Sequence, residues 1–418
     1  MKATIVALAA VSAFFGHAAA NDETAPRTYE AALAAAQSAF AAEDFPAAAA
    51  ALDEAQAFRP YSLFLTRNRI LAHYRSGETA AALAIAEEVA ARGIALEFPA
   101  TEAFNGFLAD GSFAPVLQSF NENLRPKGSV KIAAAFAETA LLPEAVVKTE
   151  TSFLIGSVRS GKILEASPEA LSAIATLDGG VFDLALSSDH KRIHAVVNNQ
   201  LAYEGAGIRA AEAAFVTMDR RSGAIISKTV VSDGAALLGD IEADGDSLYA
   251  SDSLTPRVLL LGAGKSLQTL AADPLFVNLQ GLALDHKKRR LYVADHLAGL
   301  FVVDLKSNSV TPIANPGGAH LGGIDGLYLY KGDLIGIQNG TTPQRIVRID
   351  LDRKGLTARK LSVLQQALPE WSEPTHGFIE GDRLIYIATS NWPAYDDAGK
   401  PREGAVLKPL RLMSVDLN

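Results

Sequence analysis

Six polar side chains stand at matching places in the last two thirds of this chain: Glu144, Asp183, Asp240, Gln280, Asp325 and His376. Each opens a similar segment: Pro143-Glu144-Ala145-Val146-Val147, Phe182-Asp183-Leu184-Ala185-Leu186, Gly239-Asp240-Ile241, Gln280-Gly281-Leu282-Ala283-Leu284, Ile324-Asp325-Gly326-Leu327-Tyr328 and Thr375-His376-Gly377-Phe378-Ile379. Glu144, Asp240, Gln280 and Asp325 all carry oxygen, the ligand atom that calcium takes six to eight times over. Asp183 adds a carboxylate, whereas the His376 imidazole does not suit calcium. Carboxylates brought into one narrow space repel unless a cation neutralises them. A bound cation would polarise an ester or lactone carbonyl, with Asp183, Asp240 or His376 as the base toward water. The alternative is structural: the same side chains bond exposed backbone N–H groups, or line a water-filled channel.

The elements that must position these residues are short strands. Every copy continues with an apolar strand, a turn, a second strand ending in small or polar residues, and a third strand. Arg290-Leu291-Tyr292-Val293-Ala294, Ser247-Leu248-Tyr249-Ala250 and Leu384-Ile385-Tyr386-Ile387-Ala388 are examples, with turns at Asp244-Gly245-Asp246, Ser222-Gly223, Lys331-Gly332-Asp333 and Glu380-Gly381-Asp382. Successive copies start about 39 to 57 residues apart, a period of propeller blades rather than solenoid repeats. Six copies, each with a weaker outer strand, predict a six-bladed β-propeller over residues 129–418. Its innermost strands would line a central channel and gather the six polar residues into one ring. Val130–Ala135 would pair beside Leu410–Leu417 and leave no free sheet edge. Where the second strands end, Arg159, Asn199, Asp252, His296, Asn339 and Asn391 would rim the channel mouth as substrate contacts or serve as turn formers, with Trp392 as an aromatic wall or as packing between blades.

Residues 27–124 carry a different, Ala-rich pattern. Tyr29–Ala42 and Pro46–Phe58 read as one helix pair, Tyr61–Arg75 and Thr79–Arg92 as a second, and the apolar spacing of 100–124 as a capping segment. The turns Ala42-Glu43-Asp44-Phe45 and Ser76-Gly77-Glu78-Thr79 lie 34 residues apart, as do the small pairs Ala47-Ala48 and Ala81-Ala82. The pattern resembles tetratricopeptide repeats, with Pro60 closing the first unit. Such a module holds a protein partner or packs against its own neighbouring domain. The expected class is thus α+β and multidomain: α-helical, tetratricopeptide-like hairpins followed by an all-β propeller.

At the amino end, Lys2, the apolar run Ile5–Phe15 and the small residues Ala18-Ala19-Ala20 read as a signal peptide over 1–20, cleaved before Asn21. This implies a periplasmic or secreted protein. The chain has no cysteine, which excludes disulfides and thiol chemistry. A net charge of −9 with interspersed signs disfavours nucleic acid, and no later segment reads as a membrane span. There is no Gly-x-Ser-x-Gly elbow and no His-Glu-x-x-His zinc pair. Gly264-Lys265-Ser266 lacks the first glycine of a phosphate loop, because position 259 is Leu.

Glu144 in its Pro-Glu start, Asp240-Ile241 with the following Asp244-to-Ser253 stretch, and Leu291-Tyr292-Val293-Ala294-Asp295 resemble the calcium-dependent six-bladed propellers of the gluconolactonase and senescence marker protein superfamily, whose relatives include paraoxonase and strictosidine synthase. The resemblance covers about residues 130–418. In its lactonase branch a Glu, two Asn and an Asp hold one calcium. The resemblance places the Glu at Glu144 and the Asp at Asp325. It places the first Asn at Gly239, or at Asp240 if the register slips by one, and the second at Gln280. The expected function is an exported propeller that binds a small molecule or protein partner, with a metal-dependent hydrolase of lactones or esters as the alternative.

Overall fold

The computed structural model describes residues 28–99, 101–167, 170–264, 266–396 and 399–418, so the leader at 1–20 lies outside the described residues. The chain divides into two units at Asn123/Leu124.

The first unit is helical. Tyr29–Ala41, Phe45–Phe58, Leu63–Arg75 and Thr79–Ala91 run in sequence, followed by Glu102–Ala109 and Ala114–Asn123. Thr28, Asp44 and Ser62 cap the first three helices, each side chain accepting a backbone N–H of the opening turn. The two hairpins turn alike: Glu43 and Gly77, 34 positions apart, both take left-handed backbone at φ 56° and 84°. Ala48 and Ala82, also 34 apart, are both fully buried, which lets the paired helices approach closely. Phe98, Phe107, Phe113 and Phe120 close the end of this unit together with Tyr74.

The second unit is a six-bladed β-propeller: six antiparallel sheets of four strands each. The innermost strands are Pro143–Lys148, Gly180–Leu186, Leu238–Asp244, Leu279–Asp285, Gly326–Tyr330 and Gly377–Glu380, of blades one to six. Blade six is completed by a strand from the other end of the unit. Ile132–Ala135 pairs antiparallel with Arg411–Asp416, matching Ile132 to Met413 and Ala135 to Arg411. The second strands are buried on both faces, as in Arg290–Asp295, because each blade is sandwiched between two others. The core is accordingly a set of wedges between blades. Leu154, Ile163, Leu184 and Ile193 fill one between blades one and two, and Phe276, Leu284, Val293 and Phe301 belong to another between three and four. Glycines appear where blades come closest: a Cβ on Gly281 would meet the Asp325 carbonyl oxygen at 2.5 Å. No helix among the described residues is long and apolar enough to cross a membrane.

Candidate functional site: a two-tier acidic channel

The six polar residues do not form one ring. Strand register divides them into two tiers. Counted back from the end of each second strand, Val146, Asp183, Ile241, Leu282 and Leu327 take the same place, pairing with Ile155, Val196, Ala250, Val293 and Gly336. Glu144, Gln280 and Asp325 each stand two residues earlier and make the upper tier. The upper-tier position in blade three is Gly239, so the register slip that would bring Asp240 there does not occur. Asp183 holds the later place itself, and Asp240 and His376, one residue before Ile241 and Gly377, join it in the lower tier by facing the same cavity. In blades one to four the pairing shifts register at these residues. An extra residue in one strand re-aims side chains and sharpens the local bend, and sequence alone did not locate it.

In the lower tier the acids staple one blade to the next. The Ile241 N–H donates to Asp183 Oδ2 at 3.0 Å, the Leu282 N–H to Asp240 Oδ2 at 2.8 Å and the Leu284 N–H to Glu242 Oε1 at 3.3 Å. Asp183 and Asp240 also act on each other, an interaction that lowers the first carboxyl and raises the second. Burial raises the Asp183 carboxyl to about 6, against the lowering effect of its hydrogen bonds. Burial, then the Asp183 charge, pushes Asp240 well above the usual carboxylate range, while His376 pulls it back. Glu242 rises to about 8 through burial and then Asp240. Tyr328 receives the Gly377 N–H on its hydroxyl at 2.6 Å, and burial followed by the Asp240 and Asp183 charges raises its own ionisation. His376 Nδ1 lies 3.1 Å from the Glu144 carbonyl oxygen.

The upper tier is a second cluster. Trp392 Nε1 donates to Glu144 Oε2 at 2.6 Å, and Asn339 Nδ2 to Asp325 Oδ2 at 2.7 Å. Burial, followed by the Asp325 charge, raises Glu144 well above its ordinary value, while the Trp392 N–H lowers it. Glu373, held at φ 99°, is raised to about 8 by burial and then Asp325. His296 is shifted down by burial, with Asp325 and Asp295 opposing. Its Nε2 would lie 1.7 Å from a Cβ placed on Gly340, so a side chain there would have to push the imidazole aside.

Of the seven expected substrate contacts, His296, Asn339 and Trp392 stand at this upper tier, and the other four tie loops together. Arg159 donates to the Gly399 carbonyl at 2.6 Å and pairs with Glu204 at 3.0 Å. Asn199 accepts from the Glu212 N–H and donates to the Ala210 carbonyl. Asp252 accepts from the Leu237, Leu254 and Thr255 N–H groups and meets Arg257. Asn391, left-handed at φ 68°, bonds Thr139, Lys408 and Ser372. Short polar side chains at strand ends satisfy backbone groups that water cannot reach, which is the loop-forming role the sequence offered beside substrate contact.

The calcium set fits poorly. Gly239 brings no side-chain ligand, and Asp240 Oδ2 accepts the Leu282 N–H. Gln280 donates to Asn278 at 2.6 Å, and the two remaining carboxylates each hold an N–H donor. Among the described residues no three of His, Cys, Asp and Glu come together as a metal-holding group. Burial and mutual repulsion push these carboxyls toward their protonated forms, a route the charge argument from sequence left out.

A cavity of about 340 Å³ runs along the inner strands from the lower tier toward their carboxyl ends. Asp183, Asp240, Glu242, Tyr328 and His376 face it between walls that include Leu186, Leu282, Leu284 and Phe378. None of the seven expected mouth residues lines it. Sequence reasoning missed Glu242, Tyr328 and Glu373. Glu242 carried a signal, since residues two apart on a strand share a face, and Asp240 was already placed. Tyr328 and Glu373 carried none, because a hydroxyl reaching the next blade and a strained loop have no periodic mark.

The strand pairing defines the class: a six-bladed β-propeller preceded by a helical unit. No family profile and no curated protein matches the chain. Solved structures similar to it include a putative oxidoreductase (glucose dehydrogenase) from Thermus thermophilus, at 18% identity and TM-score 0.46 over 68% of this chain and 99% of that one. A soluble aldose sugar dehydrogenase from Escherichia coli is similar at 13% identity and TM-score 0.45, over 69% and 99%. A gluconolactonase from Xanthomonas campestris is similar at 12% identity and TM-score 0.44, over 70% and 99%.

Proposed function

We propose that the propeller is a binding module that admits a small organic molecule to its central channel, in a protein exported by its amino-terminal leader. The observation that carries this is the 340 Å³ cavity itself. Its volume lies in the range of small-molecule sites, and its apolar walls with a few converging polar groups have the usual composition of such sites. Five titratable side chains meet there from four blades, a concentration that marks functional clefts. A second reading, hydrolysis of a lactone or ester, draws on Asp183 and Asp240, two buried carboxyls of raised proton affinity that face the same cavity.

The test is a thermal-shift screen of the full chain against small amines, alcohols, sugars, lactones and carboxylic acids, with calcium after chelation in the same panel. A ligand that binds only the folded state raises Tm by mass action. The expected result is a saturable shift from at least one organic class, abolished by Leu284→Trp, which fills the channel from its wall. Shifts untouched by Leu284→Trp, or no shift from any organic class, overturn the reading. A calcium shift lost in Glu144→Gln would reopen metal-assisted hydrolysis.

A further inference from the structure

The polar groups facing the cavity are unequal in kind. Asp183 and Asp240 reach it from blades two and three, and Glu242 from one step further along blade three. No Lys or Arg among the described residues lines it. His376 is 5% exposed, and what it exposes faces this space. Its Nδ1 sits on the Glu144 carbonyl, which can only accept, so that nitrogen carries the ring proton. The other ring nitrogen, Nε2, has no hydrogen-bond partner among the described residues. The Tyr328 hydroxyl is the one fixed donor beside this set of acceptors, and the remaining surface is hydrocarbon: Val147, Leu184, Ile241, Leu282, Leu284 and Phe378.

Such a wall selects a ligand with N–H donors, positive charge and an apolar body. We propose that the channel takes an organic ammonium: a small primary amine whose charged head meets Asp240, Glu242 and His376 Nε2 and whose hydrocarbon lies against the leucines and Phe378. This rests on the channel-binding reading above and names its ligand class. An anion would meet three carboxyls and no cation. A neutral alcohol brings no charge to set against an ionised carboxyl, and so forgoes the stronger charged hydrogen bond. The protons held by these acids occupy the ligand's place: burial raises Glu242 to about 8 and pushes Asp240 upward, with Asp183, His376 and Tyr328 as the other titratable groups facing them. Blades one and four present only apolar side chains to the cavity. An entering ammonium replaces a proton, so binding should release protons to the buffer and tighten as pH rises from about 6 to about 9.

The experiment is calorimetric titration of the full chain with n-hexylammonium, n-hexanol and hexanoate, in two buffers of different ionisation enthalpy. The expected result is binding of the ammonium alone, with proton release at neutral pH. Glu242→Gln and Asp240→Asn, which keep an acceptor for the Leu284 and Leu282 N–H groups, should each weaken it about tenfold or more, as expected for a lost charged hydrogen bond. Ammonium binding that ignores both variants, or that releases no proton, overturns the proposal. Binding of hexanol or hexanoate that Leu284→Trp abolishes, without binding of the amine, overturns the ligand class and leaves the channel reading standing. Silence from all three probes, together with a silent thermal-shift screen, removes both.

Discussion

At the scale of single residues, the channel acids behave as proton stores. Asp183, Glu242 and Glu373 begin near ordinary carboxylate values when unfolded and reach about 6, 8 and 8 in the folded protein. A raised folded value means that the native state binds more protons than the unfolded chain between those limits. Stability therefore falls as pH rises across the window. The expected outcome is a melting temperature that drops between about pH 5 and 8.5, with a shallower drop in Glu242→Gln, because the amide cannot titrate. A profile that is flat, or that rises over this range, would show that these carboxyls are ionised in the native protein. Carboxylates such as Asp178 and Asp244, held low by Arg209 and Arg289, act with the opposite sign, and only below the unfolded carboxylate range.

At the scale of elements, the blades are held in register by polar side chains at the ends of second strands. Asn198 is fully buried, and its amide bonds both the Leu238 N–H, at 2.9 Å, and the Leu238 carbonyl, at 2.8 Å, in the next blade. Asp295 in blade four accepts four backbone N–H groups, from Val277, Asn278, Leu297 and Ala298. Asn198→Ala would strand two buried backbone groups at about 1–3 kcal/mol each. Denaturant titration should show a lower midpoint with an unchanged slope. A variant as stable as the parent would show that water replaces the amide.

The same elements show what could be read in advance. The alternation in Leu291-Tyr292-Val293 and the turn at Asp244-Gly245-Asp246 fix strands and hairpins locally, and those appear as expected. Closure of the last blade by the first strand also follows, because an open sheet edge had to be covered. The split into two tiers could not be read, since it depends on one-residue bulges that leave composition and period unchanged. Without it Asp240 and Gly239 could not be told apart as occupants of one position, and the six residues seemed to converge. The roles of Asn199, Asp252 and Asn391 were hidden for a related reason: a side chain that ties a loop and one that touches a ligand are written with the same residue types.

At the scale of the whole molecule, the second unit is a ring closed by hydrogen bonds between its first and last strands. Ala135 lies opposite Arg411, and Lys131 is salt-bridged to Asp416. The two ends of the propeller's chain are therefore neighbours, although about 280 residues of sequence separate them. Where the chain starts around the circle is then an accident of the gene. A circular permutant that joins Asn418 to Ser129 through a short glycine linker and reopens at the exposed Asp244-Gly245-Asp246 turn should keep all six blades. It should melt close to the parent propeller, and a permutant that fails to fold would show that the closing strand pair must form last.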